Sequence, residues 1–446
     1  MNPDLLARYD RLRLPRYTSY PTAPHFTQGL DGATRASWLA ELPENLPLSL
    51  YLHVPFCAQL CLYCGCHTTV VRRAEPVAGY VDALLREIAL STEGGPRRPV
   101  THLHWGGGTP TLLSGADLRR VMGVIADRFR LAADAEIAVE IDPRTLTPAR
   151  VEALAEIGVN RASLGVQSFE PRVQAVIGRR QSFAETAWAA ERLRAAGIAR
   201  LNLDLMYGLP HQDVENVTDT VLRALALDPD RVSLFGYAHV PAMKRHQALL
   251  PEEALPDGPA RLAQFEAAAA RLTGAGYRRV GLDHFARPGD PLVTAGTLRR
   301  NFQGYTTDAA AALIGFGASA ISALPQGYAQ NAAAVPAYAR MIEAGQVPTV
   351  RGLALTPEDR LRRDVIERLM CDLRVDLDEV CARHAVSTAV FEPELARIDA
   401  LCGEGLARRV RGQVAVPEAA RALVRVVASV FDARLPGTVG THAPAF

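Results

Sequence analysis

Residues 48–66 read LSLYLHVPFCAQLCLYCGC. An apolar run, "LSLYLHV" (48–54), stops at a proline, and four of the chain's seven cysteines fill the ten residues 57–66. Such a run, bounded by a turn signal, predicts a buried strand that hands the cysteines to the loop after it. Similar runs recur downstream: "VTHLHW" (100–105), "EIAVEI" (136–141), "RASLGV" (161–166), "LNLDLMY" (201–207) and "RVSLFGY" (231–237). Stretches with helical spacing lie between most of them, clearest in "VAGYVDALLREIAL" (77–90) and "SGADLRRVMGVIADRF" (114–129). Strand and helix in alternation mean βα units and a parallel sheet. Six units predict an α/β fold, a partial (β/α)6 TIM-like barrel rather than a two-layer sandwich. "YRRVGLDHF" (277–285) is expected to add an edge strand.

Sites in parallel βα folds lie at the carboxyl ends of strands. The unusual motifs all follow strands: the cysteines the first, "GGGTP" the second, "DPR" the third, "QSF" the fourth, "GLP" the fifth and "AH" the sixth. A single site at the top of the barrel is therefore expected.

Composition narrows the function. The chain has 446 residues, 48% hydrophobic and 22% charged, with a formal net charge of +1. That balance offers no steering toward nucleic acid or an acidic membrane. No apolar run is long enough to span a bilayer, and the start, "MNPDLLARYDRLRLPRY", lacks the apolar stretch of a secretory signal. Cys371, Cys381 and Cys402 are scattered. An odd, low cysteine count argues against a disulfide framework and for a reducing, cytoplasmic setting. Lys244 is the sole lysine; the arginines that carry the remaining positive charge pair well with carboxylates.

Four segments are expected. Residues 1–47 form a loop-rich N-terminal segment, with "RLPRYTSYPTAPHF" suited to an extended covering strand. Residues 48–350 form the barrel and its extension. Residues 351–434 turn helical, with a small hairpin in "LARRVRGQVAV" (406–416), and resemble a winged helix; without a basic face, packing or a lid role suits them better than DNA reading. Residues 435–446 read as a tail.

Cys57, Cys61 and Cys64 form C-x3-C-x2-C, and Cys66 follows. Structural zinc takes four ligands, usually as two separated pairs, and no second knuckle is present. A saturated ferredoxin-type cluster needs Cys66 as fourth ligand, with Gly65 turning the chain back sharply. The third possibility is a four-iron cluster on three thiolates, its last iron open; an open position marks catalytic metals. A chelating amino acid group could fill it.

C-x3-C-x2-C after the first strand of such a barrel, an aromatic (Tyr63) before the last cysteine, and "WGGGTP" (105–110) resemble the radical S-adenosylmethionine (SAM) enzymes. The resemblance implies a [4Fe-4S] cluster on Cys57, Cys61 and Cys64 whose open iron binds the amino and carboxylate groups of SAM. SAM cleavage then supplies a 5'-deoxyadenosyl radical, and the protein supplies position and shielding. "RYTSYPTAPHF" (16–26), "IDPRTL" (141–146), "NLDLMYGLPHQ" (202–212), "DHFARP" (283–288), "RNFQGYTT" (300–307) and "GASAIS" (317–322) are similar to one branch, the oxygen-independent coproporphyrinogen III oxidases, or dehydrogenases, of haem (porphyrin) biosynthesis. Haem chaperones of the same superfamily share the barrel motifs and are the alternative; they lack the N-terminal segment and Cys66.

The branch implies a decarboxylating oxidoreductase that converts two propionates of coproporphyrinogen III to vinyls, giving protoporphyrinogen IX. It implies two SAM molecules. Tyr51, Gly107, Glu140 and Ile321 match the first site. Tyr63, Gly108, Thr109, Gln167, Arg179, Asp204 and Ala238 match the second. Cys66, Tyr51 and His53 are expected to act catalytically beside the cluster, Cys66 without being a ligand. Arg16, Arg287 and Arg300 are candidates for the substrate's carboxylates, with Tyr17 and Tyr20 in a segment that folds over the barrel mouth. A low-potential electron donor is required, the chain is expected to act as a monomer, and no nucleic acid or membrane partner is implied.

Overall fold

A computed structural model describes residues 8–9 and 12–435. The tail expected at 435–446 lies, beyond its first residue, outside the described residues.

Six βα units form as the alternation predicts. Their strands are β1 (Leu48–Val54), β2 (Pro99–Gly107), β3 (Arg130–Ile141), β4 (Arg161–Gln167), β5 (Arg200–Tyr207) and β6 (Arg231–Gly236). The helices following them in turn are Glu75–Thr92, Gly115–Arg128, Pro148–Glu156, Phe183–Ala195, Val214–Ala226 and Gly258–Gly274. Local chemistry sets the helix starts. The Ser182 and Asp213 side chains each accept the N3 amide of their helix in a reciprocal capping box. Pro148 sits in the first turn, where its missing N–H costs nothing.

The expected edge strand is two short strands, β7 (Arg278–Val280) and β8 (His284–Ala286), with β8 antiparallel to β6. In this sheet the periodicity missed four more: β9 (Ala312–Phe316), β10 (Ile321–Leu324), β11 (Gly327–Asn331) and β12 (Thr349–Ala354). Strand order is β12-β11-β10-β9-β1-β2-β3-β4-β5-β6-β8-β7, with β9 through β6 parallel. The six parallel strands expected are all present, and a seventh joins them. The partial barrel gains β9 on the free edge of β1, and both ends run antiparallel.

Pleating sorts each strand. Leu48, Leu50, Leu52 and Val54 of β1, Leu103 and Trp105 of β2, Val139 and Ile141 of β3, and Leu201, Leu203 and Leu205 of β5 are buried in the core shared with the helices. Full burial of each stabilises by about 1.5–3 kcal/mol. The intervening residues, among them Tyr51, His104, Glu140, Ser163, Asn202 and Asp204, turn to the lumen. Arg161 and Arg231 sit lower in that lumen, paired with Glu136 (2.9 Å) and Asp290 (2.7 Å).

The C-terminal region builds a second core around the helix Pro357–Asp372. It carries a three-stranded antiparallel sheet of Arg374–Asp376, Arg408–Val410 and Gln413–Ala415. Leu14, Tyr17 and Tyr20 are buried in this same core. Tyr17 Oη donates to Asp432 (3.1 Å), Tyr20 Oη accepts from the Ala433 amide (3.2 Å), and Arg425 donates to the Leu14 carbonyl (3.1 Å). Among the described residues no helix is long and apolar enough to cross a membrane.

Candidate functional site

The cysteine loop starts where β1 ends. Phe56–Cys57 pairs in parallel with Thr69–Val70, which pinches the loop at its base. Each expected ligand has a polar neighbour: Thr109 Oγ1 lies 3.7 Å from Cys57 Sγ, Arg144 Nη2 3.4 Å and Arg179 Nη1 3.6 Å from Cys61 Sγ, and the Cys66 amide 3.4 Å from Cys64 Sγ. Burial pushes the Cys57 thiol up to about 11, whereas a side-chain hydrogen bond with Cys66 draws Cys64 below its ordinary value. Cys61 is buried, Cys57 and Cys64 are half-buried and Cys66 is exposed. Among the described residues, no three His, Cys, Asp or Glu side chains are placed to hold one metal ion. A cubane does not ask for that, because each thiolate binds a different iron.

The glycine triplet is a packing necessity. A Cβ on Gly107 (φ +113°) would meet the His53 ring at 2.7 Å, and one on Gly108 would meet the Phe56 carbonyl oxygen at 2.5 Å. The amides of this turn are engaged within the chain: Gly107 donates to Glu140 (3.1 Å), Gly108 to Val54 (2.8 Å) and Thr109 to Phe56 (2.7 Å). Glu140 also accepts from His104 (3.1 Å). Burial pushes the Glu140 carboxyl up, and His104 and the Gly107 amide together outweigh it and hold it below its ordinary value.

His53 is buried with both nitrogens occupied. Nε2 donates to the His67 carbonyl (3.1 Å), which leaves Nδ1 to accept from Tyr51 Oη (2.9 Å). Burial lowers its pKa and favours this neutral form. Tyr51 in turn stacks on His104, centroids 5.9 Å apart. This arrangement makes His53 a strut for Tyr51, with no nitrogen free for substrate.

Gln167 ends β4 in the left-handed region (φ 69°), and its buried Oε1 has no partner. Arg179 bridges Asp142 (3.3 Å) and the Gly165 carbonyl (2.6 Å). Asp204, raised by burial, accepts from Ser163 (2.9 Å) and Asn202 (2.8 Å). Gln247 donates to the carbonyls of Tyr63 (2.9 Å) and Ala238 (3.2 Å) and ties the two together.

The expected residues converge on two chambers. One, of about 370 Å³, has Cys57, Cys61, Cys64 and Tyr63 on one side and Gly108, Thr109, Gln167, Arg179, Asp204 and Ala238 on the others. The second, of about 470 Å³, holds Tyr51, His53 and Ile321 beneath residues 15–19 and 22–24 of the N-terminal segment. Gly107, Glu140, Cys66 and Arg16 border both. An orphaned amide oxygen and a crowded glycine turn beside three cysteines fit a polar cofactor held at a cluster.

The candidate substrate contacts divide. Arg16 reaches the mouth and donates to the Gly236 carbonyl (2.5 Å). Arg300 is buried over Tyr305 (4.3 Å) near Asp283 (3.8 Å), and lines a neighbouring cavity with Tyr17 and Tyr20. The two tyrosine hydroxyls are turned to the C-terminal core, so they anchor the segment. Arg287 is not brought to the site. It binds Asp228 and the Pro229 carbonyl before β6, at the opposite end of the barrel, because antiparallel β8 carries it away from the mouth. Arg287 is withdrawn as a substrate contact.

Sequence reasoning missed Arg144 on Asp142 (2.6 Å) and a clamp over the cysteine loop. In that clamp Lys244 donates to the Cys66 carbonyl (2.9 Å) and His246 to the Cys64 carbonyl (2.8 Å). The solitary lysine was the available signal.

Residues 51–224 match the model of the radical SAM superfamily. Over 442 residues the chain is 53% identical to an oxygen-independent coproporphyrinogen III oxidase of Bradyrhizobium diazoefficiens, covering 98% of each sequence. It is 48% identical to one of Paracoccus denitrificans, covering 94% of each. Its fold is similar to that of coproporphyrinogen III oxidase from Escherichia coli, a radical SAM enzyme, with TM-score 0.90, 38% identity and coverage of 94% of this chain and 97% of that one.

Proposed function

The chain belongs to the oxygen-independent coproporphyrinogen III oxidases of the radical SAM superfamily, and on that premise we propose that it converts two propionates of coproporphyrinogen III to vinyls, giving protoporphyrinogen IX; each propionate would lose one hydrogen atom to the SAM-derived radical, then CO2 and one electron, the electron passing to an acceptor outside this chain. It is an oxidoreductase of tetrapyrrole biosynthesis. The observation that carries this proposal is the convergence of three cysteines, the crowded glycine turn and the unpartnered Gln167 oxygen on one chamber.

Cys57, Cys61 and Cys64 would hold the cluster. When bound, cluster and SAM supply a carbon radical able to take a hydrogen atom from an unactivated C–H bond. Two SAM molecules are supported by two chambers meeting at Cys66. Tyr63, Gly108, Thr109, Gln167, Arg179, Asp204 and Ala238 would position one, and Tyr51, Gly107, Glu140 and Ile321 the other. His53 orients Tyr51, and Arg16 offers a charge-assisted contact to a propionate. Arg300 stands one cavity further out. A low-potential one-electron donor outside this chain feeds the cluster. We place the enzyme in the cytoplasm, in keeping with seven free cysteines among the described residues, and expect it to act as a monomer.

Anaerobic reconstitution with iron and sulfide, followed by SAM, a strong reductant and coproporphyrinogen III, is expected to yield protoporphyrin after oxidation and 5'-deoxyadenosine. Absence of both products with an intact cluster sinks the proposal. The N-terminal segment roofs the second chamber, and a radical site must exclude water. Deleting residues 1–25 is therefore expected to abolish porphyrinogen turnover while SAM cleavage persists. Undiminished turnover by the truncated protein would remove the covering role.

A further inference from the structure

The second chamber contains a cation that the proposed function has not yet used. Arg351, on β12, pairs in register with Gln330 of β11. Its Nε donates to Gln330 Oε1 (2.6 Å), and its guanidinium lies over the Phe26 ring at 6.0 Å. Gln330 is buried and donates to the Ser319 carbonyl (3.0 Å), while Ser319 Oγ lies 3.3 Å from His53 Nε2. The guanidinium is thus held at its base by a chain of hydrogen bonds that ends on the strut of Tyr51. None of the ion pairs among the described residues gives Arg351 a carboxylate within 4.0 Å. The wall of this chamber includes one acid, Glu140, already held by His104 and the Gly107 amide.

A fixed arginine on the wall of a half-open chamber, without an acid partner, suits a carboxylate: its planar fork donates two parallel hydrogen bonds to one. We infer that Arg351 receives a propionate carboxylate of the tetrapyrrole and, with Arg16 on the roof, fixes which side chain faces the reacting centre. The inference rests on the proposed substrate. The competing carboxylates are those of the two SAM molecules. The three expected cluster ligands border the first chamber only, so a carboxylate chelating the cluster is placed away from Arg351; the carboxylate of the other SAM would share Arg351's chamber, and the SAM constant is measured to separate it from the propionate.

The test compares reconstituted wild type, Arg351→Gln and Arg351→Lys. Losing a charge-assisted contact is expected to raise KM for coproporphyrinogen III by about 10- to 100-fold in Arg351→Gln. Arg351→Lys, which keeps the charge and loses the fork, falls between. Coproporphyrin III, a stable fluorescent analogue, is expected to lose affinity in parallel, while its tetramethyl ester binds wild type and variants alike. KM for SAM in substrate-free 5'-deoxyadenosine formation is expected to stay unchanged. A shift in the SAM constant with the porphyrinogen constant unmoved assigns Arg351 to SAM and overturns the inference. Equal losses for acid and ester, or wild-type constants in both variants, overturn it as well. If Arg351→Gln does not fold, Arg351→Lys decides: a wild-type porphyrinogen KM overturns the inference. Failure of wild type to turn over coproporphyrinogen III would instead fell the proposed function itself.

Discussion

A Cys66→Ser protein is expected to assemble its four-iron cluster at wild-type iron content and to turn over coproporphyrinogen at least about 100-fold more slowly. Cys57→Ser, Cys61→Ser and Cys64→Ser are each expected to lose both iron and turnover. The four thiols share a ten-residue loop, and their surroundings separate them. Arg144 and Arg179 stand over Cys61, Thr109 over Cys57 and the Cys66 amide over Cys64, each a donor suited to a thiolate. Cys66 is the exposed member, and the hydrogen bond it shares with Cys64 favours its thiol form. It borders both upper chambers and the lumen beneath them, so its sulfur lies where cofactor and substrate would meet. Lys244 and His246 clamp the carbonyls of Cys66 and Cys64, so the loop keeps its shape when only the sulfur is changed. Iron and sulfide analysis with product quantification separates the outcomes. A Cys66→Ser protein that cannot assemble its cluster would make Cys66 a ligand and end the open-iron reading.

The site was legible in sequence wherever local periodicity decides which way a side chain points. In "LNLDLMY" the leucines alternate with Asn202 and Asp204, and a pleated strand sends the leucines to the helices and the polar pair to the lumen. The same alternation puts Tyr51 and His53 of one run and Glu140 of another on the lumen side, where they line one chamber. It failed for β9. "ALIGF" is short and glycine-interrupted, and its partner is β1, far earlier in the chain; no local pattern encodes a pairing across that separation. It failed for Arg287 because motif membership says nothing about strand direction. The roles of Arg144, His246, Gln247 and Arg351 were invisible for a related reason, and Lys244 stood out only as the sole lysine. Their roles are set by which distant carbonyl, thiol or chamber the fold brings within reach.

Gly108→Ala is expected to cost about 1–3 kcal/mol of stability by overpacking and to prevent normal cluster assembly. The added carbon would lie 2.5 Å from the Phe56 carbonyl oxygen, 2.9 Å from its carbon and 3.0 Å from Cys57 Sγ. Two of these atoms are backbone, and that backbone cannot yield freely. Phe56 O accepts the Thr109 amide, Gly108 donates to Val54, and Phe56–Cys57 is paired with Thr69–Val70. Relief therefore has to come from moving Cys57, the first expected iron ligand. Gly106→Ala provides the contrast: its methyl would meet the Glu140 carboxylate at 2.8 Å and the Tyr51 ring at 2.9 Å, both ends of side chains. That variant is expected to keep its iron and to show its defect in the SAM constant, because Glu140 must leave His104 or Gly107 to make room. Iron content and urea denaturation of the two proteins, measured side by side, test the distinction. If Gly108→Ala matched wild type in both, the close approach of the glycine turn to the cysteine loop would not be what requires glycine there.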